Sequence, residues 1–589
     1  MEDCTKALSF LQQALDLQFK SRSENHPSLA TTYNNLGLIH NSMKDYSTAL
    51  SFYEKALVIQ QNSKSTRDQS LATTYFNMGL TYYSMKTYST AISLFEKALA
   101  IQQKLLPSDH QDLANTYYNI GLTYDAMNNY QNAISYYEKA CTIHEKDPAK
   151  NASSLANVYS NIGSTYHSMK NYSDAINYYQ KAIAIQEKIL SADDPSLATT
   201  YNNIAIAYDF VDDKQNALLF HQKALVIREK VLSANDPALA STYRNIASIY
   251  HSMNNYSDAI SYYRKLITIE EKILLPNDSS LGTTYNNIAT ASDFIDDKQN
   301  ALLFHEKALV VREKTLSPND PLLAATYNNI ASIHHSMKNY SDAVNFYRKA
   351  ITIEENILSS DDPSLGTTYN NIAVAYGFID DQQNALLFHQ KALVIREKVL
   401  PNNDPALAAT YRNIASIYHS MNNYSDAVNF YRKALTIMEQ TLSPDDPSLG
   451  TTYNNLAVAY DSMNDKTNAL LFYQKALAIR EKILRPKDPS LASIYSSVAV
   501  IYSSMEMKTE AAQFYEKSLN IQESLTSPNH SSMYVIHFNT ARIYEDLRNY
   551  DEALKHAERS LSHARLAFGS DHEKVRNVER YINILRSSK

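Results

Sequence analysis

Cysteine occurs only twice in the 589 residues, at Cys4 and Cys141, so neither a disulfide framework nor a thiolate metal cluster can be built. A reducing compartment fits that usage. Glycine is nearly as scarce, 9 residues in all, against an average usage of about 7%. Strands linked by tight turns would need more. The 16 prolines, among them Pro27, Pro107, Pro195, Pro237, Pro321, Pro405, Pro447, Pro489 and Pro528, fall in short polar stretches between apolar-periodic segments. There they punctuate helices without breaking them. No apolar run approaches the roughly 18–20 residues of a membrane span, and Glu2, Asp3 and Cys4 follow Met1 where a leader would be basic and then apolar. Lys and Arg number 55 against 62 Asp and Glu, a formal charge of −7, which excludes a dedicated nucleic-acid groove. These absences predict a soluble, cytoplasmic chain with no membrane segment.

What is present is apolar bulk and a period. Hydrophobic residues make up 44% and tyrosine alone numbers 45, enough for a large folded mass. A tyrosine column recurs every 42 residues from Tyr33 through Tyr75, Tyr117, Tyr159 and Tyr201 to Tyr495, with His537 in the thirteenth place. An alanine column runs from Ala7 through Ala49 and Ala217 to Ala553 without a slip. An unbroken period leaves no room for a linker, so one solenoid is expected where length alone would suggest about four domains.

Within a unit, Leu197, Tyr201, Ile204, Ala205 and Tyr208 recur at three- and four-residue steps, the face of an amphipathic helix A. Asp194 is placed as its N-cap and Pro195 as its first residue. After Asp212, Asp213 and Lys214, a second periodic run from Ala217 to about Val231 forms a longer helix B. Small Ala217 and Ala224 let the two helices approach closely while Tyr201 and Tyr208 fill adjacent holes. Each unit is an antiparallel helical hairpin.

Tyr33-x-x-Leu36-Gly37-x-x-His40, Ala49-x-x-x-Tyr53 and Ala56 resemble the tetratricopeptide repeat pattern, recurring thirteen times. The usual 34-residue period is stretched to 42, Gly stands only at Gly37, Gly79, Gly121 and Gly163 with Ala from Ala205 onward, and the closing proline is missing. The extended helix B, Ala224 to Leu232 followed by Asp236-Pro237, is similar to the repeats of kinesin light chains and nephrocystin-type proteins. The resemblance covers residues 1 to about 565. It implies an all-α fold, a right-handed α-solenoid of about fourteen hairpins, with helix A lining a concave surface. Residues 1–21 read as an unpaired helix B, 22–565 as thirteen repeats, and 566–589 as a capping helix, His572 to Ser588. Kinesin light chains carry a heptad coiled coil before their repeats, and nothing of that kind precedes Ala7, which weakens a motor-cargo role.

An 84-residue period overlies the shorter one: units with Asp209-Phe-Val-Asp-Asp213, Asp293-Phe-Ile-Asp-Asp297 and Gly377-Phe-Ile-Asp-Asp381 alternate with units carrying His251, His335 and His419. Two residues after the tyrosine stands an asparagine ladder that includes Asn203, Asn245, Asn287, Asn329, Asn371, Asn413 and Asn455. An amide both donates and accepts, so such a ladder can pair with the backbone of an extended peptide, and in related repeats the matching asparagine contacts bound peptide. The competing reading is that these amides bind a neighbouring helix. One residue earlier, a variable column holds Phe76, Tyr118, Arg244 and Arg412. The arginines are candidates for pairing with acidic side chains of a partner. Alternation of His167, Asp209, His251, Asp293, His335, Gly377, His419 and Asp461 suggests imidazole–carboxylate meetings that would raise the histidine pKa, or else a relic of duplication. His221, His305 and His389 are expected in the core, the Asp-rich turns as helix caps, and the stripe of Met43, Met85, Met127, Met169, Met253, Met337, Met421, Met463 and Met505 as filler beneath the turns.

No Gly-rich phosphate loop, nucleophile elbow or paired-carboxylate pocket stands out, and a repetitive face is poorly suited to hold one acid and one base. The expectation is a noncatalytic scaffold or adaptor that binds extended peptides in the helix-A groove, with no cofactor, metal, nucleic acid or membrane. The alternative is the substrate-recruiting array of a larger enzyme or signalling protein. Self-association through the first helix is a further expectation.

Overall fold

The computed structural model describes residues 2–21, 26–62, 69–525 and 529–588; Pro528 and the expected boundary at residue 22 lie outside them. Among the described residues are twenty-eight α-helices and no strand. The chain divides after Asp297 into two compact units. The first opens on the single helix Glu2–Ser21, continues through six A–B hairpins and closes on the helix A Ser279–Phe294. The second opens on the helix B Lys298–Thr315, continues through six hairpins and ends on the single helix Glu573–Ser588. The chain is thus an all-α solenoid, and the count agrees with about fourteen hairpins.

The hairpin centred on residue 212 shows why the sequence folds this way. Helix A spans Pro195–Phe210, with Asp194 accepting from the Ser196 N–H at 2.8 Å and Pro195 in the first turn. Helix B spans Lys214–Val231 and is capped by Asp213, which accepts from the Asn216 N–H at 3.1 Å. Ala217 and Ala224 are wholly buried between them, and Phe220 lies 5.9 Å from Tyr201 and 5.7 Å from Tyr208, ring centre to ring centre. Of the acidic turn residues, then, Asp213 caps, Asp209 pairs with Lys214 at 2.8 Å, and Asp212 sits between the helices in the left-handed region, φ 62°.

That left-handed residue recurs at every A–B turn, from Lys44, Lys86, Asn128 and Lys170 to Arg548, and none of the thirteen is glycine. The Asp213 N–H bonds the Tyr208 carbonyl and the Asp212 N–H bonds the Asp209 carbonyl, a Schellman closure that usually carries glycine at this place. A Cβ in this region crowds the following carbonyl. Replacing Lys86, Lys170 and Lys338 with Gly should therefore raise stability by about 0.5–1 kcal/mol per site, read as a stepwise increase in the chemical-denaturation midpoint.

Four glycines permit a closer approach of helix B than the alanines at the same place in later repeats. A Cβ on Gly121 would meet the Tyr137 ring at 2.7 Å, and Gly37, Gly79 and Gly163 stand as close to Tyr53, Phe95 and Tyr179. These rings are buried in the hairpin and have little room to retreat.

Successive repeats are fastened by a set of three side chains. Tyr201 Oη donates to Glu187 Oε1 at 2.6 Å, and Lys223 lies 5.0 Å above the Tyr201 ring and 3.5 Å from Glu187. Tyr369, Glu355 and Lys391 repeat the arrangement, with a 2.6 Å hydrogen bond and a 3.1 Å ion pair. The tyrosine column thus packs with its ring and links with its hydroxyl.

Six of the nine methionines in the stripe depart from expectation, whereas Met505 packs against the core. Met43, Met85, Met127, Met253, Met421 and Met463 are each about two-fifths exposed. Where helix A stops, the chain turns away from the core, so these side chains follow it outward. On the first helix, Phe10 and Leu17 are also exposed, while Leu8, Leu11 and Leu15 pack against the helix A Pro27–Ser42.

Candidate functional site

The helix-A face is built from the asparagine ladder, the variable column beside it and the His/Asp column one to two turns further along. In the ladder, Asn287 and Asn455 stand near the phenols of Tyr263 and Tyr431, each 24 residues earlier on a helix B, and oppose the rise in phenol pKa that burial causes. Asn161 donates to Tyr118 Oη at 2.6 Å and Asn119 to the Asn115 carbonyl at 2.7 Å. Asn77 is buried beside a cleft of about 220 Å³ lined by Thr73, Phe76, Gln102 and Asn115. By contrast, the side-chain amides of Asn203, Asn245, Asn329, Asn371 and Asn413 are half-buried or exposed and make no hydrogen bond among the described residues.

A physical reason separates part of the two groups. The residues 24 places before Asn245, Asn329 and Asn413 are His221, His305 and His389, which are buried as expected. Imidazole at this place brings no hydroxyl toward the amide. Burial pushes His221 and His389 down to about 4, so both are neutral near pH 7.

The variable column reaches into the next repeat. Asn34 donates to Thr74 at 2.7 Å, and Asn328 to Glu354 at 2.7 Å and Thr368 at 3.2 Å. Arg244 holds the carboxylate of Glu270, which is 1% exposed. Arg412 occupies the equivalent place four repeats on, but there the residue matching Glu270 is Met438. Its guanidinium makes no ion pair among the described residues and lines a cleft of about 170 Å³ with Met438, Thr441 and Leu442. Sequence reasoning missed the buried column behind this: Arg228, Glu270, Arg312, Glu354 and Arg396 recur every 42 residues, on the helix-B face turned inward. Arg228 donates to Thr242, and Arg312 to Thr326, both at 2.5 Å. The alternation of sign at a fixed spacing was the available signal.

The His/Asp alternation does not behave as expected. Burial lowers the pKa of His167, His251 and His335, and no carboxylate opposes it. Aromatic rings occupy the neighbourhood: His167 meets Tyr172 and Phe210 edge-on at 5.3 and 5.5 Å, and Tyr172 and Phe210 stack at 4.6 Å. The acids at the alternate places are engaged by lysines of their own hairpins, Asp209 by Lys214 and Asp461 by Lys466. A lysine five residues away along the turn neutralises each acid before a histidine of another repeat can.

Among the described residues no group of three His, Cys, Asp or Glu side chains comes together to hold a metal ion, and no helix is long and apolar enough to cross a membrane.

A face of open amides carried on stacked hairpins defines a repeat array of the kind that mediates protein–protein interaction. The tetratricopeptide repeat model matches residues 1–62, 70–146, 154–230, 220–272, 238–314, 280–356, 322–398, 406–482 and 468–524, and a second model of the same description matches 539–573; the chain belongs to the tetratricopeptide repeat family. No curated protein matches it. Among solved structures it is similar to the nearly identical repeats of a Podosopora anserina kinesin light chain-type protein, at 23% identity over 35% of this chain and 99% of that one, TM-score 0.32. It is also similar to BtubC (BKLC) of P. vanneervenii, at 21% identity over 39% and 89%, TM-score 0.35, and to RapI, at 18% over 60% and 98%, TM-score 0.42.

Proposed function

We propose that the protein is a noncatalytic cytoplasmic adaptor that holds extended peptide segments of its partners against the helix-A face. The observation that carries this reading is the row of unpartnered amides at Asn203, Asn245, Asn329, Asn371 and Asn413, each with a donor and an acceptor open to a ligand's main chain. Asn287 and Asn455 join the row by turning from Tyr263 and Tyr431 when a peptide is present. Arg412 adds selection for an acidic side chain, since its guanidinium has no acid of its own, whereas Arg244 is held by Glu270 and serves mainly to shape the face. The exposed Phe10 and Leu17 of the first helix are the surface for self-association.

Changing Asn245, Asn329 and Asn413 together to Ala tests the reading. Capture of displayed peptides should fall by at least about tenfold, because each lost main-chain hydrogen bond contributes about 0.5–1.5 kcal/mol. Melting by circular dichroism should be nearly unchanged, as these amides have no internal partner. Undiminished capture by a folded triple variant would remove the groove from the account.

A further inference from the structure

Two clefts on the helix-A face stand at the same place in their repeats. Thr73, Phe76, Gln102 and Asp112 line the cleft of about 220 Å³, and their counterparts eight 42-residue periods later, Ala409, Arg412, Met438 and Ser448, line the cleft of about 170 Å³. The stacking thus makes the space, and the sequence exchanges its lining. The earlier cleft lies between the successive A helices Gln69–Ser84 and Gln111–Ala126, with Gln102 contributed by the helix B Tyr88–Leu105.

Its lining is amide and carboxylate. Thr116 Oγ1 donates to Gln102 Oε1 at 2.7 Å, which fixes the amide and leaves its nitrogen without a hydrogen bond among the described residues. Asp112 Oδ2 accepts from Gln69 Nε2 at 2.8 Å, and the half-exposed carboxylate keeps acceptor capacity to spare. A second observation points to a ligand. Asn77 also lines the cleft, is 6% exposed, and has an amide nitrogen with no hydrogen-bond partner, a buried donor left unpaired at a cost. Half-buried Phe76 adds an apolar wall.

Two amide donors and one carboxylate acceptor around a space for one side chain discriminate among ligand groups. A carboxylate would accept from Gln102 and Asn77 but confront Asp112. An ammonium or guanidinium would suit Asp112 but bring only donors to two amide nitrogens. A primary carboxamide serves both: its oxygen accepts from the amides while its NH2 donates to Asp112.

We propose that this cleft receives the carboxamide of a glutamine or asparagine side chain on the bound peptide, with Phe76 against its methylenes. The inference rests on the helix-A face being the peptide-binding face, and it gives this cleft a neutral polar preference where the cleft at Arg412 prefers an acid.

The test uses the full chain and a displayed random dodecapeptide library. Wild-type protein should enrich peptides with Gln or Asn at one position. A selected Gln peptide should bind about tenfold or more weakly with Met there, which leaves the amides unpaired, or with Glu, which confronts Asp112. Met438 and Ser448 show replacements that the same place in the fold accepts. Asp112→Ser should bring the Glu peptide to within about threefold of the Gln peptide, while the Met peptide stays weak. Adding Gln102→Met should bring the Met peptide to within about threefold as well, with melting by circular dichroism nearly unchanged. A Gln or Asn preference that survives in the double variant, or captured peptides without that preference on wild type, overturns the cleft site and leaves the groove reading in place. Absence of any captured peptide overturns the groove reading itself, and the cleft site with it.

Discussion

Truncating Arg244 to Ala is expected to lower the stability of the first unit by about 1–3 kcal/mol, the cost of leaving a buried acceptor unsatisfied, less than for a fully buried ion pair because Arg244 is half exposed. Glu270 is 1% exposed and its second oxygen has no hydrogen bond, so without Arg244 a carboxylate is left in the interior uncompensated. Arg244 itself is about half exposed and can be lost without leaving a hole. The remedy is written elsewhere in the chain: Met438 stands where Glu270 does, beneath Arg412. Glu270→Met should therefore be close to neutral, and the Arg244→Ala, Glu270→Met pair should recover most of the loss. Chemical-denaturation midpoints of the four proteins form a double-mutant cycle. If Arg244→Ala alone leaves the midpoint unmoved, the Arg244–Glu270 pair is not a structural element. Any partner-binding defect of Arg244→Ala should be judged after this correction, because loss of fold and loss of a contact give the same first result.

Acid should be the second large perturbation. Burial, with Arg228 nearby, brings His221 down to about 4. Burial and Arg396 do the same to His389. Burial, with His556, His563 and Arg559 nearby, brings His537 to about 3. An unfolded histidine binds its proton near pH 6.5. Below that pH the unfolded chain takes up protons that the folded sites refuse, so stability is complete above pH 6.5 and falls as pH drops toward 4, by about 1.4 kcal/mol per unit for each histidine. At pH 5 each site should have lost about 2 kcal/mol. The tyrosines at the same place in other repeats, Tyr179, Tyr263, Tyr347 and Tyr431, fit this space. His221→Tyr and His389→Tyr should therefore leave stability at pH 7.5 little changed and raise it at pH 5, one unit of the chain at a time. Equal acid sensitivity in wild type and both variants would show that other groups control the acid limb.

Much of this fold was legible without coordinates, and the reason is local. A 42-residue period of apolar positions at helical spacing, bounded by Asp-Pro and by polar turns, fixes two helices per unit, and Asp194, Pro195, Ala217 and Ala224 do what their spacing implies. Even the turns carry their information locally, although the left-handed residue is Asn, Asp, Lys, Glu or Arg and never the glycine that usually marks it. The asparagine ladder was likewise visible as a column.

Which members of that ladder are open was decided by packing. Asn287 and Asn455 stand near tyrosine hydroxyls from 24 residues earlier, Asn245, Asn329 and Asn413 follow histidines that bring none, and Asn203 and Asn371 are open although Tyr179 and Tyr347 hold that place. Arg244 and Arg412 look alike in the column, and a residue 26 places later, Glu270 in one case and Met438 in the other, makes the first an internal ion pair and the second an open cation. The imidazoles of the alternating column lie among aromatic rings, and the carboxylates expected beside them went to nearer lysines. The period is a property of single helices and their caps, which neighbouring residues along the chain establish. The charge and hydrogen-bonding state of the binding face depends on side chains from adjacent hairpins sharing a confined space, and only the stacking of the repeats brings them together.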